Sequence, residues 1–148
     1  MAGAFVREYP IRFEHCDPAG IVFFPRYHVM FNALTEDWFN EGLKLGYREF
    51  ICGRRIGLPI VKQTTEFFRP CIFGETLSFE LGVTRIGTTS FTLSISVHGS
   101  DGVRIHSEHV LCTTSLESNT PIRLPADFRE RASEFAVASM RNADARTA

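Results

Sequence analysis

The sequence predicts an α+β domain in which one long apolar helix precedes an antiparallel sheet. Three observations carry this prediction. Apolar and aromatic residues recur at helical spacing between residues 25 and 41. Four longer segments with strand-like alternation follow between residues 60 and 116. No βα units alternate along the chain, which argues against a doubly wound fold and favours α+β.

The first elements lie on either side of a turn. Residues 8–13 alternate apolar and polar side chains, as in a strand. Asp17-Pro18-Ala19-Gly20 has the residue preferences of a type I turn. We then expect a helix that begins at Pro25, where a missing N–H is harmless, and ends near Gly42. Its broad aromatic stripe indicates deep burial, with a sheet folded around it.

The remainder of the chain reads as sheet and a short final helix. Residues 58–70 form one strand, and Asp101-Gly102 supplies a hairpin turn between two others. The alternating segments that complete the sheet are 75–87, 89–99 and 104–116. Residues 126–140 are expected to form a C-terminal helix, and residues 141–148 a flexible tail.

Composition narrows the function classes. The 148 residues are 44% hydrophobic and 22% charged, with a formal net charge of −1. The absence of a basic stripe argues against nucleic-acid binding. The four cysteines are scattered without a CxxC pair, so we predict no metal site, no cofactor and free thiols. No signal peptide or apolar run of ~20 residues is present, which predicts a cytoplasmic protein without a membrane span.

Asp17 is the candidate for chemistry. An Asp-Pro-x-Gly turn needs no catalytic role, because the Asp side chain accepts hydrogen bonds from backbone N–H groups two residues on. Here, however, the turn leads through the apolar "IVFFP" into the helix, where free backbone N–H groups can stabilise negative charge. A carboxylate beside such a site can attack an acyl carbon or deprotonate water.

The segment "HCDPAGIVFFPRYH" resembles the signature of the 4-hydroxybenzoyl-CoA thioesterase family of the hotdog fold. The segments "GLPIVKQTTEFFRPCIFGETL" and "RIGTTSFTLSISV" resemble the strand after the helix and the following hairpin. The resemblance implies one hotdog domain over residues 1–148, with the sheet wrapped around the helix. It also implies hydrolysis of an acyl-CoA thioester and a homodimer or homotetramer whose subunits pair to build the active sites.

The resemblance also implies roles for individual residues. Asp17 matches the catalytic carboxylate, and the backbone N–H of Phe24 matches the group that polarises the thioester carbonyl. Asn32 stands where the hydroxybenzoyl enzymes have an Asp for the substrate hydroxyl. The basic cluster that grips CoA is reduced here to Arg85, with Ser90 matching in type. The expected substrate-binding residues are Phe23, Tyr27, His28, Asn32, Pro59 and Ile60.

Alternatives stay open at this point. The aromatic helix suggests an aryl or medium-chain acyl group, and the sparse basic residues leave room for an acyl-ACP thioesterase. In a non-catalytic acyl-binding hotdog protein, Asp17 would be only a turn residue. A hotdog dehydratase would usually place a catalytic His with an acid across the dimer, and the DPAG opening argues against it.

Overall fold

The computed structural model describes residues 3–139, and the predicted tail at residues 141–148 lies outside this range. Within the described part, the elements follow the predicted order of a strand, a long helix, a run of strands and a final helix. The helices are α1 (Pro25–Asp37) and α2 (Ala126–Ser133). The strands are β1 (Phe5–Pro10), β2 (Ile56–Gly57), β3 (Ile60–Phe67), β4 (Thr76–Ile86), β5 (Ser90–Gly99), β6 (Gly102–Cys112) and β7 (Thr114–Ser115).

The main sheet has five antiparallel strands in the order β1-β4-β5-β6-β3, and β2 pairs separately with β7. The central strand β5 is buried from Phe91 to Val97. Phe31 of α1 packs on the inner face of the sheet, against Phe79 of β4 and His109 of β6. This arrangement confirms the predicted α+β class. Strands β1 and β3 form the two edges of the sheet. No helix within residues 3–139 is both long and apolar enough to cross a membrane.

Aromatic rings from distant parts of the chain fill the interior. Phe39 at the end of the long helix stacks on Phe128 of α2, with ring centroids 5.6 Å apart. Phe91 of β5 also contacts Phe128, at 4.8 Å. These rings, with Trp38 and Phe50, are fully buried. Half of the fourteen phenylalanines therefore lie in a core that joins both helices to the sheet, whereas five others are exposed: Phe13, Phe23, Phe24, Phe67 and Phe73.

The predicted first strand extended too far along the chain. It ends at Pro10, and Ile11 then donates its N–H to the Glu75 carbonyl instead of continuing the pairing with β4. Residues Phe13–His15 form a 3-10 turn, and Phe13 is 78% exposed. The alternating pattern was right for the strand but did not show where the chain bends away.

The helical segment ends close to the predicted position, but Gly42 does not end it. α1 continues into a π-helical turn, Trp38–Leu43, and the cap residue is Lys44, whose φ is 56°. A Cβ on Gly42 would lie 2.8 Å from the Trp38 ring and 3.2 Å from both Phe5 and Phe135. The glycine therefore permits close packing rather than a helix stop.

The C-terminal helix is shorter than predicted. α2 ends at Ser133, and the following segment turns back to the sheet. Val83 donates to the Phe135 carbonyl, and Val137 donates to the Val83 carbonyl. Phe128 and Ala132 of α2 are fully buried, and Phe135 in the segment that follows is 8% exposed.

Candidate active site

The turn that carries Asp17 is formed by its own hydrogen bonds. Gly20 donates its N–H to the Asp17 carbonyl (3.0 Å), and Ala19 donates to the Asp17 Oδ1 (2.8 Å). Gly20 has a φ of 79°, a conformation that side chains disfavour. No residue within 3–139 hydrogen-bonds to Asp17 Oδ2. The carboxylate is thus half-buried and held by one oxygen, and its second oxygen has no hydrogen-bond partner among the described residues.

A neighbouring loop, residues 70–75, holds this turn in place. Val22 donates to the Cys71 carbonyl, and Phe73 donates to the Gly20 carbonyl (both 2.9 Å). The loop is fixed by Arg104, which hydrogen-bonds the Pro70 carbonyl and both oxygens of Glu75. The Arg104 side chain is only 5% exposed, and its guanidinium lowers the pKa of Glu75.

The N-terminus of α1 opens onto an apolar pocket. Pro25 has no N–H, and no hydrogen bond from the Phe24 backbone N–H is found in residues 3–139. The pocket has a volume of about 250 Å³. It is lined mainly by apolar and aromatic side chains, with one arginine at the rim: Ile21, Val22, Phe24, Tyr27, Phe67, Phe68, Arg69 and Pro70. An unpaired backbone donor therefore adjoins an apolar cavity, as an oxyanion site requires.

Beside this pocket, α1 contacts the edge strand β3 at two positions. Tyr27 contacts Phe67 at the end of β3, with centroids 5.7 Å apart, and its hydroxyl accepts the Cys71 N–H. The next contact between the two elements joins Gln63 of β3 to His28 of α1, with 3.2 Å between Gln63 Nε2 and His28 Nδ1. Asn32, exposed, follows His28 by one helical turn on the same face. Phe23 lies at the helix start, 48% exposed.

The other predicted site residues lie at the opposite end of the sheet. Pro59 accepts a hydrogen bond from Cys112, which is paired with Ser90, and Ile60 is paired with Leu111. Arg85 lies nine residues beyond the start of β4, about 30 Å along the strand from the Asp17 end. Within one chain, this group cannot share a small site with Asp17.

Two other arginines, Arg54 and Arg69, already have protein partners. Arg54 forms a bidentate pair with Asp127 (3.1 and 2.6 Å), which lowers the pKa of that carboxyl. Arg69 donates to the Asp101 carbonyl (2.6 Å). Arg85 is exposed on β4. The local positive charge at a CoA-binding surface would therefore be small.

His15 and Cys16 lie beside Asp17 but are engaged otherwise. Arg12 donates its N–H to His15 Nδ1 (2.8 Å), so this imidazole caps the 3-10 turn rather than orienting the carboxylate. Burial, followed by the charge of Asp17, raises the pKa of the Cys16 thiol. A raised pKa disfavours the thiolate and with it a nucleophilic cysteine.

A set of polar residues on the inner face of the sheet escaped the sequence-based reasoning. Gln63 and Thr65 on β3 lie opposite His109 and Ser107 on β6. His106 and His109 lie three residues apart on β6, but residues 3–139 contain no cluster of three or more His, Cys, Asp or Glu that could hold a metal. The sequence does contain a signal for these residues, because polar side chains at alternate positions of β3 and β6 interrupt an otherwise apolar strand face.

Comparison with known proteins gives the family. Residues 11–132 match the model of the thioesterase-like superfamily. The chain belongs to this superfamily. A 4-hydroxybenzoyl-CoA thioesterase from Pseudomonas sp. strain CBS-3 is 30% identical over 138 residues, which cover 88% of this chain and 98% of the relative. A 1,4-dihydroxy-2-naphthoyl-CoA hydrolase from Nostoc punctiforme is 26% identical over 94 residues, covering 64% of this chain and 63% of that enzyme.

Solved structures agree on the fold. The 4-hydroxybenzoyl-CoA thioesterase structure from the same Pseudomonas strain has a TM-score of 0.76 at 26% identity, covering 87% of this chain and 99% of that one. A 1,4-dihydroxy-2-naphthoyl-CoA thioesterase from Synechocystis has a TM-score of 0.80 at 20% identity, with coverages of 88% and 96%. The predicted family, the hotdog fold and the enzyme class, a thioesterase, are confirmed by these matches.

Proposed function

We propose that the protein hydrolyses the thioester of an aryl- or medium-chain acyl-CoA, with Asp17 as the catalytic carboxylate. The observation that carries the proposal is the geometry of the Asp17 turn. It is tied by hydrogen bonds to the segment that enters α1, where the unpaired Phe24 N–H adjoins an apolar pocket. A carboxylate, an oxyanion donor and an acyl pocket are the parts that thioester hydrolysis needs.

Two routes use these groups. As a general base, Asp17 takes a proton from water while the water oxygen attacks the thioester carbon. As a nucleophile, Asp17 attacks the carbon itself, forms an anhydride and releases the CoA thiolate, and water then hydrolyses the anhydride. In both routes the carbonyl oxygen becomes negative near the Phe24 N–H, the C–S bond breaks, and the products are a free acid and CoA.

The aryl class is supported by the pocket and by the relatives. The pocket walls include the rings of Phe24, Tyr27 and Phe67, which suit a flat aromatic acyl group. The relatives are named for 4-hydroxybenzoyl-CoA and 1,4-dihydroxy-2-naphthoyl-CoA. Next to the pocket, Phe23, His28 and Asn32 lie at least partly exposed at the start of α1 and would line the acyl group. The amide of Asn32 can donate or accept a hydrogen bond, whereas the ionised Asp of the hydroxybenzoyl enzymes only accepts.

The active site would combine two copies of the chain. Strand β3 is an edge, and its Val61 is 61% exposed and Phe67 50% exposed, which is unfavourable for an unpaired strand. Antiparallel pairing of two β3 strands about a two-fold axis places opposite strand ends side by side. The Asp17 end of one subunit would then lie beside Pro59, Ile60, Arg85 and Ser90 of its partner. This pairing would reunite predicted site residues that are far apart within one chain.

The test of catalysis is a thiol-release assay on a panel of aryl- and straight-chain acyl-CoAs. Asp17→Asn is expected to lower kcat by about 10³-fold, the contribution of a positioned acid–base group. Glu14→Gln, an exposed carboxylate three residues earlier, is the matched control and should retain activity. Equal turnover by Asp17→Asn and wild type would eliminate the catalytic role. Hydrolysis of acyl-ACP alone would favour the acyl-ACP alternative, and binding without turnover the non-catalytic one.

The test of a shared site is complementation. Asp17→Asn and Arg85→Glu are each expected to be weakly active as purified proteins. After mixing and subunit exchange, about a quarter of the sites would carry neither change, because each site takes the two residues from different chains. Val61→Glu on the edge strand should weaken the dimer in sedimentation experiments. A mixture no more active than its components would contradict the shared site.

A further inference from the structure

A polar chain, which is a series of hydrogen bonds, leads from the interior of the sheet to His28 on α1, buried at its β6 end and exposed at Gln63. Ser107 is fully buried and His109 is 3% exposed, both on β6. Their cross-strand partners on β3, Thr65 and Gln63, are progressively more exposed. The contacts are His109 Nε2 to Ser107 Oγ (2.9 Å), Ser107 Oγ to Thr65 Oγ1 (2.7 Å), Thr65 Oγ1 to Gln63 Oε1 (3.1 Å) and Gln63 Nε2 to His28 Nδ1 (3.2 Å).

Counting protons fixes the direction of every bond in this chain. The Thr65 hydroxyl has one proton and gives it to Gln63 Oε1. Thr65 must therefore accept from Ser107, which uses the single proton of Ser107. His109 Nε2 must then carry a proton and donate to Ser107. Burial, with a smaller electrostatic effect of His28, lowers the pKa of His109 to about 4. The His109 imidazole is therefore neutral at pH 7, and the hydrogen bond to Ser107 places its proton on Nε2.

The same count sets the state of His28. Because the Gln63 carbonyl oxygen accepts from Thr65, the Gln63 NH₂ group faces His28 Nδ1 and donates to it. A neutral imidazole that accepts at Nδ1 carries its proton on Nε2. Phe31 packs edge-on against both imidazoles, with ring centroids 6.2 Å from His28 and 5.8 Å from His109. No described residue hydrogen-bonds to His28 Nε2.

We propose that this chain makes His28 a specificity-determining residue, whose Nε2–H donates to an oxygen on the ring of an aryl acyl group. The inference rests on the proposed thioester hydrolysis at Asp17 and Phe24. Gln63, Thr65, Ser107 and His109 act as positioning residues, because they select the tautomer but lie behind His28.

The distance between Phe24 and His28 along α1 determines which position on the acyl ring carries the oxygen that His28 can reach. His28 follows Phe24 by four residues, about 6 Å along the helix axis. One aromatic ring bridges that distance between a thioester carbonyl and a substituent on the far side of the ring. Asn32 of the same chain lies about 12 Å from Phe24 along the axis, so a single ring reaches His28 first. The expected ligand oxygen is the 4-hydroxyl of a benzoyl group.

The first experiment reads the tautomer directly. The full-length protein is labelled with ¹⁵N-histidine, and the imidazole nitrogens are observed by NMR. We expect the His28 signals of an Nε2–H tautomer in wild type. Gln63→Glu replaces the donor to Nδ1 by an acceptor and should move the proton to Nδ1. Thr65→Val should give a tautomer mixture, while Thr64→Val, on the other face of the same strand, should leave the signals unchanged.

The second experiment tests the ligand with 4-hydroxybenzoate and benzoate as probes. 4-Hydroxybenzoate should shift the His28 Nε2 signal, and benzoate should not. In the thiol-release assay, His28→Phe should lower the ratio of kcat/KM for 4-hydroxybenzoyl-CoA over benzoyl-CoA about tenfold, the discrimination that one neutral hydrogen bond provides. Thr65→Val should lower the same ratio less, and Thr64→Val not at all.

The outcomes separate this inference from the proposed function. If wild type hydrolyses both CoA esters but the ratio and the His28 signal are insensitive to the 4-hydroxyl, the inference is overturned and the proposed function stands. If no acyl-CoA is hydrolysed, the proposed function fails, and the NMR response to the two free acids still decides the role of His28. An Nδ1–H tautomer in wild type would also overturn the inference.

Discussion

Replacing His109 by Gln should reduce the loss of stability that the protein suffers as the pH falls from 8 to 5. In the fold, burial lowers the pKa of His109 from 6.5 to about 4. As the pH falls, the unfolded chain therefore takes up the proton before the folded one does. Above pH 6.5, the neutral buried ring makes its full contribution to the free energy of unfolding. This contribution is lost progressively as the pH falls toward 4. Between pH 8 and pH 5, linkage removes about 2 kcal/mol from the free energy of unfolding.

The measurement is urea denaturation of wild type and His109→Gln at pH 8 and pH 5. The variant lacks the titrating ring, so its stability should fall by about 2 kcal/mol less between the two values than that of wild type. Ser107→Ala is the control, because it removes the hydrogen-bond partner of His109 but keeps the imidazole. Its pH dependence should remain. Equal losses in wild type and His109→Gln would refute the assignment of a neutral, buried His109.

Three further predictions concern the framework of the site, each measured by urea denaturation at pH 8. Arg104→Met should lower the free energy of unfolding by about 3 kcal/mol, because it removes the partner of Glu75 from a nearly buried ion pair; an unchanged midpoint would contradict this. Gly42→Ala should cost about 1–3 kcal/mol, since its Cβ would lie within 3.2 Å of three aromatic side chains; a neutral effect would mean that the rings shift freely. Tyr27→Phe should cost about 1–2 kcal/mol by leaving the Cys71 N–H unpaired, and a stabilised variant would contradict the hydrogen bond.

The fold could be predicted from the sequence because its signals are local and mutually consistent. Alternation placed the four main strands, and aromatic spacing with Pro25 placed the start of α1. The errors fall where tertiary contacts decide. Gly42 looked like a helix stop, but its environment of three aromatic rings comes from residues as distant as Phe5 and Phe135. A spacing pattern within one helix contains no information about such neighbours.

The candidate site was predictable only in part, for a similar reason. The Asp17 turn and the helix start are adjacent in sequence, so one motif identified both. The series of hydrogen bonds from His109 to His28 joins β6, β3 and α1. It depends on the register between β3 and β6, and register depends on the whole sheet. The polar residues on β3 and β6 were visible as interruptions of an apolar face. The hydrogen bonds between these residues could not be predicted, because they depend on the strand register that places Gln63 opposite His109.

The division of the predicted site between the two ends of the sheet connects the fold to the chemistry. One end of the sheet carries the proposed catalytic carboxylate, the proposed oxyanion donor and the aromatic pocket, and the other carries Pro59, Ile60, Arg85 and Ser90. The proposed antiparallel contact between two β3 edges would bring these ends together twice, once on each side of the two-fold axis. Gln63 and Thr65 lie near the middle of β3, so the polar chain would run close to that axis. Both experiments therefore test the edge strand β3. Complementation tests whether the two ends of the strand meet across the dimer, and NMR tests the hydrogen bonds near its centre.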